Sequence, residues 1–189
     1  MFERLQAKLR ELPVTKDTQH FFAEPVQARG VAIAAIRKLA AAHGREFAAL
    51  SVAERAVVAE RLWESGGLEE GHLTILLYAR LKTALSMDEV QLFHGWLRQY
   101  VTKAEHADAI GMALLGPALK SEPDWAAVFL RWASAQQPWV RRAMLAAFSK
   151  AAREGRHREE IRELVVLAKQ DPERHVRNAA AWLERLLCL

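Results

Sequence analysis

The chain has 189 residues, of which 51% are hydrophobic and 26% charged, and its formal net charge is +4. This composition excludes a disordered chain, and the length suits one compact domain or about five helix pairs. The single cysteine, Cys188, excludes an intramolecular disulfide and argues against a structural zinc site. No apolar run approaches membrane-spanning length and no secretion signal is evident, so the sequence predicts a cytoplasmic protein.

Apolar residues recur at helical spacing in about eleven segments, and no run alternates with period two. An opening amphipathic helix is predicted over residues 2–11. Pro13 ends it, because proline lacks the amide donor that the next turn requires. A second helical series begins at Ile33 and is predicted to end at Gly44, as a left-handed cap. The sequence therefore predicts an all-α fold.

Capping residues and short breaks divide the rest of the chain. Ser51 and Glu54 have the spacing of a capping box, which opens a helix through Trp63. Asp88 is predicted to cap a later helix. Further breaks are predicted at residues 121–123, 136–138, 155 and 170–172. Loops this short predict that neighbouring helices are antiparallel.

One phrase recurs towards the C-terminal end of the chain. The sequence Pro-Trp-Val-Arg-Arg-Ala at 138–143 returns as Arg-His-Val-Arg-Asn-Ala at 174–179, with valine, arginine and alanine shifted by 36 residues. Self-similarity at such a period indicates helix pairs that stack on their neighbours to bury a shared core. We therefore predict a single domain over residues 1–189, a right-handed α-α superhelix of HEAT-like (armadillo-type) repeats with a concave surface.

The net charge is concentrated in the same region. Residues 137–189 carry eleven Lys or Arg against seven Asp or Glu, whereas residues 1–136 balance at sixteen of each. If Arg141, Arg142 and Arg177 face the concavity, they would meet the phosphates of a nucleic acid. Alternatively, they brace the next repeat through a carboxylate. The sequence leaves both interpretations open.

An ordered series of short motifs runs from about residue 15 to residue 186. Its members, in chain order, are Phe21 to Val31, Ile36 to Ala40, Leu62 to Gly66, Tyr100-Val101, Asp108, Gly116-Pro117, Trp139 to Ala143, and Trp182. This series resembles the DNA alkylation repair enzyme family. The resemblance implies a DNA glycosylase with HEAT-like repeats. Such an enzyme holds duplex DNA in a basic concave cleft and releases N3- and N7-alkylated purines.

That reaction needs few residues. An N3- or N7-alkylated purine is positively charged and leaves as a neutral base, so the enzyme mainly has to stabilise the developing oxocarbenium sugar and position water. The resemblance implies that Asp108 is the catalytic carboxylate and that Trp182 and Phe22 contact the base or sugar. The seven histidines show no metal-ligand spacing, so neither a metal nor a cofactor is predicted. The predicted partner is duplex DNA containing alkylated purines, bound by a monomer.

The sequence also departs from the family pattern. The family's tryptophan four residues before the aspartate is replaced by Ala104, which removes a large π surface from the expected cleft. Phe21 stands for a tyrosine and Ala23 for a lysine. Trp96 and Trp125 are the candidates for refilling the gap at Ala104.

Two alternatives therefore accompany the glycosylase. The first is a non-catalytic HEAT-like module that binds DNA or protein, for which Ala104 is the motivation. The second is a repeat scaffold without a nucleic-acid role, in which the three arginines pair with carboxylates. At the level of single residues, Asp108 would be satisfied by an arginine of a neighbouring repeat, and Trp182 would pack in the core. Trp132 and Trp139 are predicted to be packing residues.

Overall fold

The structure is a computed structural model that describes residues 1–15, 27–81 and 83–187. Its secondary structure is helical, and the only extended pairing among these residues is an isolated antiparallel bridge between Val14 and Val31. The predicted all-α class is therefore confirmed. None of the helices in the described ranges combines the length and apolarity needed to cross a membrane.

The chain divides into two compact units, residues 1–83 and 84–189. A division into two compact units is compatible with one domain and with two. The single domain predicted over residues 1–189 therefore stays a prediction. The superhelical arrangement of repeats likewise stays a prediction.

The first unit contains four helices: α1 (Phe2–Glu11), α2 (Ile33–Ala49), α3 (Val52–Glu64) and α4 (Leu68–Tyr78). The opening helix has the predicted bounds. The capping box is also confirmed. The Glu54 amide donates to Ser51 Oγ at 3.2 Å, and the Ser51 amide donates to Glu54 Oε2 at 2.8 Å. These two bonds satisfy amide donors that a helix start leaves without intrahelical partners.

Each helix of the first unit buries an apolar stripe. Large members of this core are Leu5, Leu9, Ile36, Leu39, Phe47, Leu62, Leu73, Ile75 and Tyr78. The Phe47 and Tyr78 rings meet edge to face, with centroids 5.1 Å apart. The predicted cap at Gly44 is wrong, because α2 continues through this residue to Ala49. The apolar residues Phe47 and Leu39 lie on the same buried side of α2, so their burial extends the helix past the glycine.

The second unit contains eight α-helices among the described residues, together with a π-helical turn and a 3₁₀ turn. In chain order they are α5 (Met87–Gln99), α6 (Ala104–Ile110), the π turn (Gly111–Leu115), α7 (Gly116–Ser121), the 3₁₀ turn (Pro123–Trp125), α8 (Ala126–Trp132), α9 (Pro138–Ala147), α10 (Ser149–Arg153), α11 (Arg158–Lys169) and α12 (Arg174–Leu187). The predicted breaks at 121–123, 136–138, 155 and 170–172 all fall between these elements. Gly155 has φ 68°, which a glycine adopts without steric cost.

The predicted cap at Asp88 is wrong. The N-cap of α5 is Ser86, whose hydroxyl accepts the Glu89 amide at 3.3 Å, while the Glu89 carboxylate accepts the Ser86 amide at 3.1 Å. Asp88 instead lies in the first turn of α5, where a negative charge complements the helix dipole. A complete capping box at Ser86 therefore outcompetes the single carboxylate two residues later.

The close approach of α6 and the π turn to α9 positions the candidate site. Gly111, the first residue of the π turn, lies against the backbone of α9. A Cβ atom at this position would stand 2.5 Å from the Ala143 carbonyl oxygen and 2.6 Å from Ala146 Cβ. Only glycine permits this separation. The contact brings the solvent-facing side of α6 next to the arginines of α9.

Candidate functional site

The centre of the site is an ion pair between α6 and α9. Arg142 Nε donates to Asp108 Oδ1 at 2.8 Å, and Arg142 Nη2 donates to Asp108 Oδ2 at 2.7 Å. Arg142 Nη1 donates to the carbonyl oxygen of His175, at the start of α12, at 2.6 Å. The guanidinium therefore fixes the aspartate in a two-point geometry while it is itself held by a third helix.

A cavity of about 350 Å³ adjoins this pair. It is lined by Asp108, Met112, Arg142, Ala146, Asn178, Ala179 and Trp182. The Asp108 side chain keeps 29% of its surface exposed and the Arg142 side chain 15%. The Asp108 carboxylate is thus accessible to solvent, and the Arg142 side chain is the more buried member of the pair.

Trp182 closes the cavity from α12. Its side chain is half-buried, and the guanidinium carbon of Arg153 lies 5.9 Å from the centroid of the indole ring. At that distance a cation interacts with the face of the ring. The cavity therefore combines a carboxylate, a guanidinium and a partly exposed indole.

The neighbouring arginine, Arg141, braces the second unit. It makes a two-point pair with Asp171, with Nε to Oδ2 at 2.6 Å and Nη2 to Oδ1 at 2.8 Å. Its Nη1 donates to the carbonyl oxygens of Ala135 and Gln136 at 2.9 and 2.8 Å. Arg141 thus donates four hydrogen bonds in all within the described part of the chain. With side-chain exposures of 13% and 6%, the Arg141–Asp171 pair is more buried than the Arg142–Asp108 pair.

Arg177 repeats half of this arrangement. Its Nη1 donates to the carbonyl oxygens of Asp171 and Pro172 at 2.6 and 2.7 Å. These carbonyls lie six and five residues before Arg177, as those of Ala135 and Gln136 lie before Arg141. Arg141 and Arg177, which occupy the same position of the repeated phrase, therefore have the same local role. Each satisfies the carbonyls of the loop that precedes its own helix.

The Arg141 pair is reflected in the pKa values of its members. Burial raises the pKa of Asp171, but the hydrogen bonds from Arg141 and from the Glu173 amide outweigh burial and hold this pKa below its usual range. The hydrogen bond to Asp171 raises the pKa of Arg141. Both shifts favour the charged forms, so the pair persists at neutral pH.

An imidazole lies behind the Asp108–Arg142 pair. The His175 ring stacks on Trp139, with centroids 4.2 Å apart, and its Nε2 is buried without a hydrogen-bond partner. Burial lowers the pKa of His175, so the ring is neutral at neutral pH. Trp139 thus packs beside the site, as predicted.

A family model described as DNA alkylation repair enzyme matches residues 5–186. The chain belongs to the DNA alkylation repair enzyme family. The resemblance carried by the short motifs is therefore confirmed over nearly the whole chain, and membership places this relative in DNA alkylation repair. Neither the search of curated proteins nor the search of solved structures found a match.

The structure places the predicted site residues of this family member unequally. Asp108 and Trp182 line the same cavity, whereas Phe22 lies outside the described residues, as do Phe21 and Ala23. The roles predicted for them stay predictions.

The three predicted phosphate contacts, Arg141, Arg142 and Arg177, all donate hydrogen bonds within the second unit. Arg141 and Arg142 pair with carboxylates, as the brace interpretation expects. Arg177 bonds to backbone carbonyls, and no carboxylate in the described part of the chain pairs with it. Contact with DNA phosphates stays a prediction for all three.

The gap left by Ala104 is not refilled by either tryptophan candidate. Ala104 is the first residue of α6, one turn before Asp108. Trp96 is 2% exposed and belongs to the core, and neither it nor Trp125 lines the cavity. The family member therefore presents one indole to its aspartate, from Trp182.

Four lining residues were not among the predicted site residues, and two of them, Met112 and Asn178, have side chains larger than a methyl group. Met112 is 45% exposed at the cavity and follows Asp108 by one helical turn, so its spacing was the available signal. Asn178 lies inside the repeated phrase and carried no signal of its own. Among the described residues, no group of three or more His, Cys, Asp and Glu side chains is arranged to hold a metal ion.

Proposed function

We propose that this protein is a DNA glycosylase that hydrolyses the N-glycosidic bond of N3- and N7-alkylated purines in duplex DNA. The observation that carries the proposal is the cavity shared by Asp108, Arg142 and Trp182. A carboxylate for the sugar and an indole face for a cationic base are the groups that this chemistry needs. The proposal includes a HEAT-like superhelix whose concave surface holds the duplex.

The reaction balances without a general acid for the base. The C1′–N bond breaks, and its electron pair neutralises the positive charge of the alkylated purine. Water forms the new C1′–O bond, and its proton passes to Asp108 or to solvent. Because charge develops on the sugar in the transition state, a carboxylate already held beside it lowers the barrier.

Arg142 acts as the positioning residue for Asp108. A carboxylate has about four lone-pair sites, and the two-point contact with Arg142 uses two of them. The remaining sites accept hydrogen bonds from the attacking water. The bond from Arg142 to the His175 carbonyl fixes this geometry relative to α12, the helix that carries Trp182.

A second candidate function is a DNA- or protein-binding module without glycosylase activity. Two observations favour it. Arg142 partly neutralises the charge that Asp108 would offer to the sugar. Ala104 presents a methyl group where the family has a second indole. Both features weaken catalysis more than they weaken binding.

Release of free base decides between these functions. The substrate is duplex DNA carrying N7-methylguanine or N3-methyladenine, and the wild-type protein is compared with Asp108→Asn. We expect the substitution to slow release by about 10²- to 10³-fold, because it removes the charge facing the sugar. Binding to the same duplex should persist.

The matched control is Asp171→Asn. It breaks the other two-point arginine pair of α9 but lies outside the cavity. Circular dichroism first confirms that both variants are folded. If folded Asp171→Asn then slows release as much as folded Asp108→Asn does, the loss reflects a broken arginine pair of α9 and the catalytic role of Asp108 fails. Wild-type binding without release would establish the non-catalytic module, and loss of both would leave the scaffold.

A further inference from the structure

A depression of about 690 Å³ lies on the first unit and shares no lining residue with the Asp108 cavity. It is formed by α2 and by the residues that follow α4. The lining consists of Ala41, Ala42, Gly44, Arg45, Ala48, Arg80, Leu81 and Thr83. The described lining therefore consists mostly of small side chains, and its two charged groups, Arg45 and Arg80, are both guanidinium.

The charge of α2 is strongly one-sided. Arg37, Lys38 and Arg45 are exposed and follow one another on the side of the helix that carries Ala41. The one carboxylate of α2, Glu46, pairs with Arg4 and His43. No carboxylate is among the described residues that line the depression, so this lining is positively charged.

The two guanidiniums of the depression have no partner among the described residues. Arg45 and Arg80 are exposed, and neither forms an ion pair or a side-chain hydrogen bond with the described part of the chain. Within the described residues no carboxylate neutralises them, and exposed cations of this kind attract mobile ions from solution. Release of such ions drives the binding of cationic surfaces to nucleic-acid phosphates.

The Arg80 side chain lies against α2 at Gly44. A Cβ atom on Gly44 would stand 3.2 Å from Arg80 Nε and 3.4 Å from Arg80 Cδ. The glycine thus lets the Arg80 side chain lie across the helix beside Arg45. A glycine inside a helix destabilises it by about 1 kcal/mol relative to alanine, so the close approach has a structural cost.

We propose that this depression, between Arg45 and Arg80, binds the phosphodiester backbone of duplex DNA. The inference rests on the DNA-binding part of the proposed function and adds a contact site on the first unit. Thr83 offers a hydroxyl donor to the same phosphate. The site contributes sequence-independent affinity, and the cavity at Asp108 has no share in it.

Duplex DNA is a better occupant than a small anion. The lining offers two exposed guanidiniums and no buried donor side chain, and such a surface holds a single mobile anion weakly at physiological ionic strength. DNA presents one phosphate charge about every 1.7 Å along its axis and releases condensed counterions on binding. An open depression of this volume accommodates a phosphate together with its flanking sugars.

The test measures binding of the full chain to an undamaged duplex over a range of salt concentrations. The variant is Arg45→Gln with Arg80→Gln, which keeps the aliphatic stems that line the depression and removes both charges. Each lost phosphate contact lowers the slope of log K against log salt by about 0.9, so we expect a slope shallower by about 1.8. The same relation gives a loss of affinity of about thirtyfold at 0.15 M salt.

The matched control is Lys8→Gln, which removes an exposed charge of the same unit that is already hydrogen-bonded to Glu11. We expect its affinity to stay within about twofold of the wild type. Thermal unfolding of each variant confirms that it is folded. Equal losses in both variants would show a general charge effect and overturn the site.

Two further outcomes separate the site from the proposed function. A wild-type slope in the double variant overturns the phosphate site while DNA binding stands. A wild-type protein that does not bind duplex DNA overturns both. Inorganic phosphate is also titrated into the complex at constant ionic strength. Displacement of DNA at submillimolar phosphate would identify a small-anion site instead and overturn the proposal.

Discussion

The arginines of α9 and α12 and the cations around α2 differ in what their charge is used for. In the second unit, Arg141, Arg142 and Arg177 all donate to groups of the protein itself. In the first unit, Arg45 and Arg80 border an open depression and make no such bonds with described residues. Residues 137–189, which carry the whole net charge of +4, therefore include three arginines that are already engaged within the protein.

The difference shows that net charge and available charge are separate properties. A guanidinium whose donors are saturated by a carboxylate and two carbonyls must break those bonds before it contacts a phosphate. An exposed guanidinium without a protein partner releases only solution counterions. Removing an arginine is consequently expected to change the free energy of unfolding more in the second unit than at the depression of the first.

The largest expected effect is on the stability of the second unit. Arg141→Ala leaves the Asp171 carboxylate, 6% exposed, without its cation, and two loop carbonyls without their donor. Breaking a pair of this kind destabilises by about 3–5 kcal/mol. Denaturant unfolding followed by circular dichroism measures the loss. Arg45→Ala is the control and should change stability by less than about 0.5 kcal/mol. Similar values for the two variants would contradict the comparison.

A smaller loss is expected for Arg177→Ala. This arginine donates to the carbonyls of Asp171 and Pro172 and pairs with no described carboxylate, so no buried charge is left behind. Hydrogen bonds from a charged group contribute about 1.5–3 kcal/mol. Denaturant unfolding measures this loss under the conditions used for Arg141→Ala. The difference between the two losses is the contribution of the Arg141–Asp171 ion pair. A loss equal to that of Arg141→Ala would mean that the carbonyl bonds, and not the ion pair, stabilise the loop.

The smallest effect is expected at Gly44, and its sign is opposite. Gly44→Ala improves helix propensity, and Arg80 is exposed and flexible enough to move by the few tenths of an ångström that the new Cβ requires. We expect a gain of about 0.5–1 kcal/mol in the free energy of unfolding. Gly95→Ala in α5 is the matched control, because nothing lies within 4 Å of a Cβ there. A stabilised Gly95→Ala beside a destabilised Gly44→Ala would show that Arg80 is held rigidly against α2.

Sequence signals predicted a helix end correctly where no neighbouring residue and no tertiary contact competed with the signal. The opening helix and the box at Ser51 matched the structure because adjacent residues alone determine them. Gly44 and Asp88 failed for two different reasons. Burial of the apolar side of α2 overrides the helix-ending tendency of Gly44. A neighbouring serine with its own glutamate displaces Asp88 from the cap.

For the candidate site, too, some residues could be predicted from the sequence and others depended on helix packing. Resemblance selected Asp108 and Trp182, which the structure brings to one cavity, but the partner of Asp108 depends on a contact between helices. The sequence left two roles open for Arg142, contact with phosphates or a brace to a neighbouring carboxylate. The approach of Gly111 to the Ala143 carbonyl places α6 where Arg142 reaches the aspartate.

The order of residues determined the all-α class, the family and the repeated valine–arginine phrase, because helical periodicity, caps and motifs are properties of neighbours along the chain. Only the tertiary structure decided which arginines of the second unit are engaged by carboxylates and which cations of the first unit remain exposed. The physical reason is that a long side chain selects its partner from groups distant in sequence. Those distances exist only after the helices have packed.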